Sequence, residues 1–387
     1  MKKYWQLLLI MVIIVITISG HYIQVANASK QNNFTFEKIS GDDKYLNPLK
    51  IEAHYQNRYN YQSVIISKDE TTVLERPFYR ENSLTFQQLI DEHKSFMRGK
   101  AHDGSSFYED EAQLIYVGLP EETWKLDKGD TFTYNIDVLD KEKNTSSTIS
   151  VQSQLKKKVN WISMSNVALV NNELKLIVHH MQNNGEEEIH LVIIDMNTER
   201  LLSDTVIESG SRNESTRTSS QFYNDYYNFG LEKYHVYSMT VFDIKSDEYK
   251  FVSQQFKVLD LETNEMMALD LPEEAGLDVQ RLTVDNDYLV ISKIIDNDLI
   301  IYRYNIAQQQ WLEPISVSPP FKFVEKTVYN VHALNGKLYL MNKVDKGFLL
   351  QIFDIEEGNA LYSGLIPKKD SKQQYDISVD RYHEINE

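Results

Sequence analysis

Residues 331–365, VHALNGKLYLMNKVDKGFLLQIFDIEEGNALYSGL, show the pattern that decides the fold. Short runs of alternating apolar and polar residues are separated by turn residues at Asn335-Gly336, at Asp345-Lys346-Gly347 and from Asp354 to Gly358. Alternation of this kind places successive side chains on opposite faces of a strand. Asn-Gly pairs and their relatives tolerate the positive φ that tight hairpins require. The stretch therefore predicts an antiparallel meander of about four strands.

The same order of runs and turns recurs towards the amino terminus. One copy has turns at Asp285-Asn286 and Asp296-Asn297-Asp298, and another has them at Asn171-Asn172 and Asn183-Asn184-Gly185. Fainter copies begin near residues 43, 110 and 233. The last two copies are spaced by roughly 50 residues, close to the 40–50 residues of a propeller blade. The sequence predicts an all-β, β-propeller-like fold of about six blades, with a range of five to eight and paired β-sandwiches as the alternative.

The earlier copies are longer, which indicates insertions between strands. Leu84–Met97 is one of these, because its apolar residues follow an approximately helical spacing. The predicted domain organisation is residues 1–28 as a signal peptide or transmembrane anchor, 29–42 as a short spacer, 43–370 as the β-propeller-like domain, and 371–387 as a polar carboxy-terminal tail.

The amino-terminal segment predicts export. Lys2 and Lys3 precede an almost wholly apolar run, of which Leu7–Ile18 is the core. Ala26 and Ala28 match the Ala-x-Ala pattern that signal peptidase cleaves, so one prediction is a protein secreted after cleavage before Ser29. The other prediction is an uncleaved single-pass helix at the cell membrane. The positive charge before the apolar run places the carboxy-terminal domain outside in both cases.

Composition excludes several classes of function. The formal net charge is −17, which argues against binding to nucleic acid, because phosphates require a basic surface. The chain has no cysteine, which excludes disulfides, thiol chemistry and a lipid-modified amino-terminal cysteine. A secreted eukaryotic domain of this size usually has disulfides, so the composition favours a bacterial source.

The sequence contains no motif that identifies a catalytic or metal-binding site. A Gly-x-Ser-x-Gly motif is absent from the sequence. His179 and His180 are adjacent, and on a strand they would point to opposite faces and could not share a metal ion. Acidic groups such as Glu186–Glu188 lack the full calcium-loop pattern and are interpreted as turns or solvated surface. We therefore predict no metal and no cofactor.

Aromatic residues provide the most distinctive local feature. Phe222–Tyr237 is rich in tyrosine and phenylalanine, and a tyrosine offers both a stacking face and a hydroxyl group. Tyr223, Tyr226 and Tyr227 are predicted as ligand-binding residues. The alternative is that these rings pack between strands.

The arrangement of a basic and apolar amino terminus before an acidic, cysteine-free, tyrosine-rich β domain resembles uncharacterised exported proteins of Bacillus-type bacteria. The resemblance rests on no specific motif and implies no active-site residues. The sequence favours an extracytoplasmic, membrane-associated binding or accessory protein with a protein partner or other ligand in the cell envelope. A secreted propeller glycoside hydrolase or lyase and a structural envelope component are the alternatives, so catalysis is not decided by the sequence.

Overall fold

The computed structural model describes most of the chain, in segments separated by short gaps. These segments are residues 5–29, 34–57, 61–74, 84–101, 103–120, 122–223, 229, 233–245, 249–272, 282–324, 331–368 and 375–384. Within them the chain is all-β and β-propeller-like, as predicted, with its strands in six antiparallel sheets of four or five strands. Repetition of four-stranded antiparallel sheets is the pattern expected of propeller blades.

The helices and strands follow one another in a regular order. They are α1 Trp5–Ser29, β1 Glu37–Gly41, β2 Leu49–Asn57, β3 Tyr61–Ile66, β4 Thr71–Val73, α2 Leu84–Glu92, α3 Lys94–Met97, β5 Phe107–Glu109, β6 Gln113–Gly118, β7 Thr131–Asp140, β8 Thr145–Gln154, β9 Trp161–Val170, β10 Glu173–Met181, β11 Glu187–Asp195, β12 Arg200–Gly210, β13 Thr216–Phe222, β14 Tyr234–Asp243, β15 Lys250–Asp260, β16 Met266–Leu269, β17 Leu282–Asp285, β18 Tyr288–Ile295, β19 Asp298–Asn305, β20 Gln310–Trp311, β21 Ile315–Val317, β22 Val331–Leu334, β23 Lys337–Val344, β24 Gly347–Asp354, β25 Ala360–Pro367 and β26 Tyr375–Glu384.

The chain divides into two compact units. The first unit consists of Met1–Arg80, Ser292–Arg303 and Leu312–Glu387, and the second consists of Glu81–Ile291 and Tyr304–Trp311. A further sheet has the order β17-β18-β19-β20, and β21 pairs with β19.

The first unit contains two complete sheets, and each includes a strand from near the amino terminus. One has the order β26-β2-β3-β4 and the other the order β1-β25-β24-β23-β22. Alternate residues of these strands form a core in which Ile51, Val64, Leu350 and Tyr382 are buried. The period-2 pattern of the sequence thus becomes one buried face on each sheet.

Paired strands lie beyond both predicted limits, 43 and 370, of the propeller-like domain. The segment 29–42, predicted as a spacer, contains β1, which pairs with β25. The segment 371–387, predicted as a polar tail, contains β26, which pairs with β2 along its whole length. In β26, Tyr375, Ile377 and Tyr382 are buried, and their neighbours include charged residues. The polar face of this strand therefore gives the segment the composition of a tail.

The second unit contains three complete sheets, with the orders β5-β6-β7-β8, β9-β10-β11-β12 and β13-β14-β15-β16. The register is continuous in the hairpins β10–β11 and β7–β8, so that buried positions of these adjacent strands share a face. In β14–β15 it shifts between Val241 and Phe242. The insertion predicted over Leu84–Met97 is confirmed as α2 and α3. Phe86 of α2 packs edge-on against Phe107 of β5 at 5.3 Å between ring centroids.

Hairpin turns fall where the Asn, Asp and Gly residues predicted them. Asn171, Asn286, Asn297 and Asn335 all have positive φ, and each lies between two strands that pair with each other. A side chain at Gly347 would place its Cβ 2.0 Å from the carbonyl oxygen of Ile366. These positions therefore select residues that accept a left-handed backbone or lack a side chain. The turn near residue 43 differs, because Asp43–Tyr45 forms a 3-10 helix between strands of two sheets.

The amino-terminal helix α1 includes Ala26 and Ala28, the residues of the predicted cleavage site. From Leu9 to Ile18 its large apolar side chains are solvent-exposed. Among the helices of the described segments, none combines the length and the apolar character needed to cross a membrane.

Candidate functional site

The sheet β9–β12 has buried histidines and carboxylates on both of its faces. His179 and His180 are adjacent on β10, and their side chains lie on opposite faces, where they contact different partners. The predicted opposite orientation of these two side chains is therefore confirmed. Glu187 and Glu188 of β11 are also buried, so the interpretation of Glu186–Glu188 as turn or solvated surface was wrong for these two residues.

The first group of side chains, the Asp204 cluster, consists of Ser153, His180, Glu188, His190 and Asp204. His190 Nδ1 donates a hydrogen bond to Asp204 Oδ1 at 2.6 Å, and Ser153 Oγ donates to Asp204 Oδ2 at 3.1 Å. Because Ser153 lies on β8 and Asp204 on β12, these bonds link two sheets of the second unit. Burial, the largest single effect, would raise the pKa of Asp204, but the hydrogen bonds from His190 and Ser153 together with the electrostatic effect of the two histidines outweigh it and hold this pKa below its usual value.

His180 completes the Asp204 cluster by stacking on His190. Their ring centroids are 4.0 Å apart and their planes are tilted by 33°. The Nε2 atom of His180 is buried without a hydrogen-bond partner. Burial and the neighbouring His190 lower the pKa of His180 to about 3. At neutral pH this ring is therefore uncharged.

The stacked arrangement of His180 and His190 is also unsuited to the binding of one metal ion by both rings. A metal ion is bound along the nitrogen lone pair, which lies in the plane of the imidazole ring at about 2.0–2.1 Å. Two rings that face each other at 4.0 Å, with a tilt of 33° between them, direct these lone pairs along separate planes. The observed geometry of His180 and His190 therefore does not bring two nitrogen ligands to one ion.

The second group, the Glu187 cluster, lies on the opposite face of the sheet and consists of Trp161, His179, Glu187, Ser220 and Phe222. His179 Nε2 donates to Glu187 Oε2 at 2.9 Å, and Ser220 Oγ of β13 donates to the same oxygen at 3.2 Å. The His179 ring packs edge-on against Trp161 and Phe222. In both clusters a carboxylate thus joins a histidine to a serine of a neighbouring sheet.

A fourth buried histidine, His235, lies beside the Glu187 cluster. Asn166 Nδ2 donates to His235 Nδ1 at 3.3 Å, and Phe222 packs against the ring at 5.3 Å. His235 Nε2 has no hydrogen-bond partner, and burial lowers the pKa of His235 to about 3. This residue carries a neutral ring that resists protonation in the folded chain.

The predicted ligand-binding tyrosines are only partly within the described segments. Tyr226 and Tyr227 lie outside them. Tyr223 is half-buried; its hydroxyl lies 3.1 Å from Ser238 Oγ and accepts a hydrogen bond from Gln254 at 3.2 Å. Burial raises the pKa of Tyr223 above its usual value. The Tyr223 hydroxyl is thus bonded within the sheet β13–β16, and its role in ligand binding stays a prediction.

The most exposed apolar residues of that sheet lie at the hairpin between β14 and β15. Tyr249, Phe251 and Val252 expose 57%, 42% and 52% of their surface, respectively. The Tyr249 ring packs edge-on against Phe242 at 6.2 Å between centroids, so the two strands of the hairpin share an aromatic contact. We call Phe242, Tyr249, Phe251 and Val252 the aromatic hairpin. Sequence reasoning missed it, since its residues follow the same pattern as buried strand residues.

Carboxylates approach one another at two further places in the second unit. A cleft at the end of the sheet β5–β8 is lined by Glu111, Asp140 and Glu142, together with hydroxyl groups of residues 145–147. Among the residues that the structure describes, one set of metal-ligand type, Glu92, His93 and Glu109, has ligand atoms within 4.8 Å of one another. Glu109 also accepts a bond from Lys141 at 2.7 Å, so a cation already neutralises it.

No protein-family model matches the chain. No curated protein matches it either.

Comparison of structures finds weak similarity to several proteins. TolB from Acinetobacter baumannii has 11% identity, with 93% of this chain and 72% of that chain covered and a TM-score of 0.30. The polysaccharide lyase Uly1 has 9% identity, 67% and 57% coverage, and a TM-score of 0.35. A prolyl endopeptidase has 11% identity, 83% and 43% coverage, and a TM-score of 0.39. The chain thus spans little more than half the length of the lyase and less than half that of the endopeptidase.

Proposed function

We propose that this protein is a binding or accessory protein that acts outside the cell membrane and recognises a protein partner through the aromatic hairpin. The observation that carries the proposal is the exposure of three large apolar side chains, Tyr249, Phe251 and Val252, on neighbouring positions. Grouped exposed apolar residues are typical of interaction sites, and aromatic residues dominate the energy of such contacts. Tyr223, Tyr226 and Tyr227 are proposed as further ligand contacts from the same part of the chain.

The buried clusters support a binding role in a second way. His179 and His190 already donate to Glu187 and Asp204, and these four side chains are buried or nearly so. Their hydrogen bonds are used to link neighbouring sheets. A rigid sheet scaffold that holds an exposed hairpin is suited to recognition, because little conformational entropy is lost when a preformed surface binds.

The binding proposal predicts that the aromatic hairpin is needed for capture of the partner. The double variant Tyr249→Ser, Phe251→Ser is expected not to capture the partner protein in affinity purification from native membranes. Aromatic contacts provide much of the binding free energy of an interface, so their removal should abolish most of the affinity. Quantitative mass spectrometry of the captured proteins provides the measurement, and a loss of at least about tenfold is expected.

A matched control separates this site from general surface hydrophobicity. Leu202 on β12 is 54% exposed and lies outside the aromatic hairpin, so Leu202→Ser is expected to capture the partner as the unaltered protein does. If the double variant captured as much partner as the unaltered protein, the aromatic hairpin would be excluded as the binding site. Recovery of no protein partner, together with turnover of a wall glycan, would favour the glycoside hydrolase or lyase alternative, for which the cleft with Glu111, Asp140 and Glu142 offers carboxylates.

Export is a separate proposal, supported by Lys2, Lys3 and the apolar run that follows. A phosphatase reporter that folds only outside the cytoplasm, joined after Asn33, is expected to be active. The same fusion without residues 1–28 is expected to be inactive, because the charged and apolar segments that direct export are missing. Activity that does not depend on residues 1–28 would contradict the proposal. The mass of the mature chain then distinguishes the cleaved, secreted form from the uncleaved, membrane-anchored form, since cleavage gives a protein that begins at Ser29.

A bacterium with a single membrane is the proposed source. The proposal rests on the absence of cysteine from the chain, because exported proteins of other origins use disulfides more often.

A further inference from the structure

Three polar side chains form a row across the sheet β26-β2-β3-β4 of the first unit. Ser63 of β3 lies directly opposite His54 of β2, and Ser63 Oγ is 3.0 Å from His54 Nδ1. On the other side of β2, His54 Nε2 is 2.8 Å from Asp380 Oδ2 of β26. A carboxylate only accepts hydrogen bonds, so in the neutral ring Nε2 carries the proton and Nδ1 accepts the hydroxyl proton of Ser63. We call Ser63, His54 and Asp380 the His54 row.

The order of groups in the His54 row differs from that in the Asp204 and Glu187 clusters. In those clusters a carboxylate lies between a histidine and a serine and joins two sheets. In the His54 row the histidine lies in the middle, and the three residues belong to adjacent strands that backbone pairing already holds together. The row is therefore not needed to join these strands. Its order is the one in which a base activates a serine and a carboxylate orients the base.

A β-bulge contributes Asp380 to the row. The pairing of β2 with β26 shifts between Glu52 and Ala53, so that Asp380 is the extra residue of the bulge. In the register of the two strands, the residue opposite His54 is Ser378. A bulge redirects the side chain of its extra residue, and bulges are frequent beside active sites. The contact between Asp380 and His54 thus depends on an irregularity of the strand and not on regular pairing.

The residues of the row differ in their access to solvent. The side chains of Asp380 and His54 are 37% and 18% exposed, whereas Ser63 is buried. Tyr61, on the same face of β3 as Ser63, stacks on the His54 ring at 5.0 Å between centroids and is 61% exposed. Because Tyr61 is already mostly exposed, its ring can turn away from His54 with little loss of buried area. The burial of Ser63 restricts its reaction partners to small molecules.

We propose that Ser63 is a nucleophile that reacts with small carboxylic esters, with His54 as its general base and Asp380 as the residue that positions this base. Ser63 Oγ forms a bond to the ester carbonyl carbon, and its proton passes to His54 Nδ1. The ester C–O bond then breaks, and the alcohol leaves with that proton. Water, deprotonated by His54, attacks the acyl group and releases the carboxylic acid, which restores the Ser63 hydroxyl. This activity is separate from partner binding by the aromatic hairpin.

Labelling of the full chain with a small fluorophosphonate tests the proposal, because such probes react fastest with serines that a base activates. Ser63 Oγ bonds to phosphorus, and fluoride leaves together with the hydroxyl proton. Mass spectrometry of the tryptic peptide 59–68 is expected to place the label on Ser63. Ser67 is the matched control in the same peptide, since its hydroxyl donates to the backbone oxygen of Glu70. Ser67→Ala should be labelled as the unaltered protein is, and Ser63→Ala should leave this peptide without label.

Variants of the other residues separate activation from accessibility. His54→Gln is expected to lower the labelling rate by about 100-fold or more, because general base catalysis contributes about 10²–10⁴-fold. Asp380→Asn should lower the rate by at least about tenfold, and Asp380→Glu should restore most of it, since the carboxylate fixes the proton on His54 Nε2. Tyr61→Ala should raise the rate, because it uncovers His54. Circular dichroism shows whether each variant is folded.

Three results would overturn the proposal. The first is absence of label on Ser63 in both the unaltered protein and Tyr61→Ala. The second is an unaltered labelling rate in folded His54→Gln or, if that variant does not fold, in Asp380→Asn, whose substitution lies at the exposed end of the row. The third is equal release of p-nitrophenol from p-nitrophenyl acetate by the unaltered protein and Ser63→Ala, because ester cleavage would then not involve Ser63.

Discussion

Removal of residues 371–387 is expected to prevent the first unit from folding, although the segment has the composition of a polar tail. β26 pairs with β2 from Leu49–Glu384 to Asn57–Tyr375, and its loss leaves β2 as an unpaired edge. Three large side chains, Tyr375, Ile377 and Tyr382, would no longer be buried. Burial of each such side chain contributes about 1.5–3 kcal/mol, and their sum is comparable with the total stability of a typical domain, about 5–15 kcal/mol.

The loss of Glu384 adds to this effect. Lys337 donates to Glu384 at 2.9 Å, and Asn335 donates at 3.0 Å. Tyr339 also donates a hydrogen bond to the same carboxylate. Burial would raise the pKa of Glu384, but these donors outweigh it and lower this pKa below its usual value. Removal of the carboxylate would leave Lys337 and the Tyr339 hydroxyl without their acceptor.

Circular dichroism during thermal unfolding provides the measurement for this truncation. The shortened chain is expected to lack the cooperative transition of the first unit. A chain that ends at Glu384 serves as the control and should melt as the full chain does. A melting temperature of the shortened chain within about 2 °C of the full-length value would show that β26 contributes less than about 1 kcal/mol.

The second large effect is expected for Glu187→Ala. Glu187 is buried and accepts hydrogen bonds from both His179 and Ser220. Without the carboxylate, the polar groups of these residues stay buried with no acceptor, and a cavity forms beside Gly210, which packs against the Glu187 side chain. Removal of one partner from a buried ionic or hydrogen-bonded pair costs about 3–5 kcal/mol. The free energy of unfolding of the second unit should fall by this amount.

Urea unfolding followed by tryptophan fluorescence measures this change, because Trp161 packs against His179 at 5.4 Å and reports on the cluster. Glu186→Ala is the matched control, since Glu186 is the adjacent residue, precedes β11 and lies outside the cluster. Its effect should be within about 0.5 kcal/mol. Equal effects of the two substitutions would mean that the Glu187 cluster does not stabilise the second unit.

Local features of the fold could be predicted from the sequence, because their causes are local. Turns at Asn171-Asn172 and Asn335-Gly336 follow from backbone conformations that few residues accept. The opposite orientation of His179 and His180 follows from the geometry of a strand. The turn at Asn183-Asn184-Gly185 even sets the register that places His180 opposite Glu188, so this part of the Asp204 cluster was derivable from the sequence.

The remaining features depend on partners that lie far away in the sequence. Ser153 and Asp204 are 51 residues apart, and no local pattern indicates that their sheets contact each other. The aromatic hairpin could not be distinguished from a buried strand, because exposure of Phe251 and Val252 depends on which residues cover them. Pairing of β26 could not be predicted from its own polar sequence, since its partner β2 precedes it by more than 300 residues.

The pairing of β26 with β2 also fixes the order of events when the chain is synthesised. His383 and Glu52, which contact each other across these strands, are 331 residues apart. Ribosomes add about 5–20 residues per second, so β2 exists for tens of seconds before β26 emerges. During that interval the edge of β2 is open to pairing with other chains. Completion of the first unit must therefore wait for β26, and β2 requires protection from other chains until β26 has been synthesised.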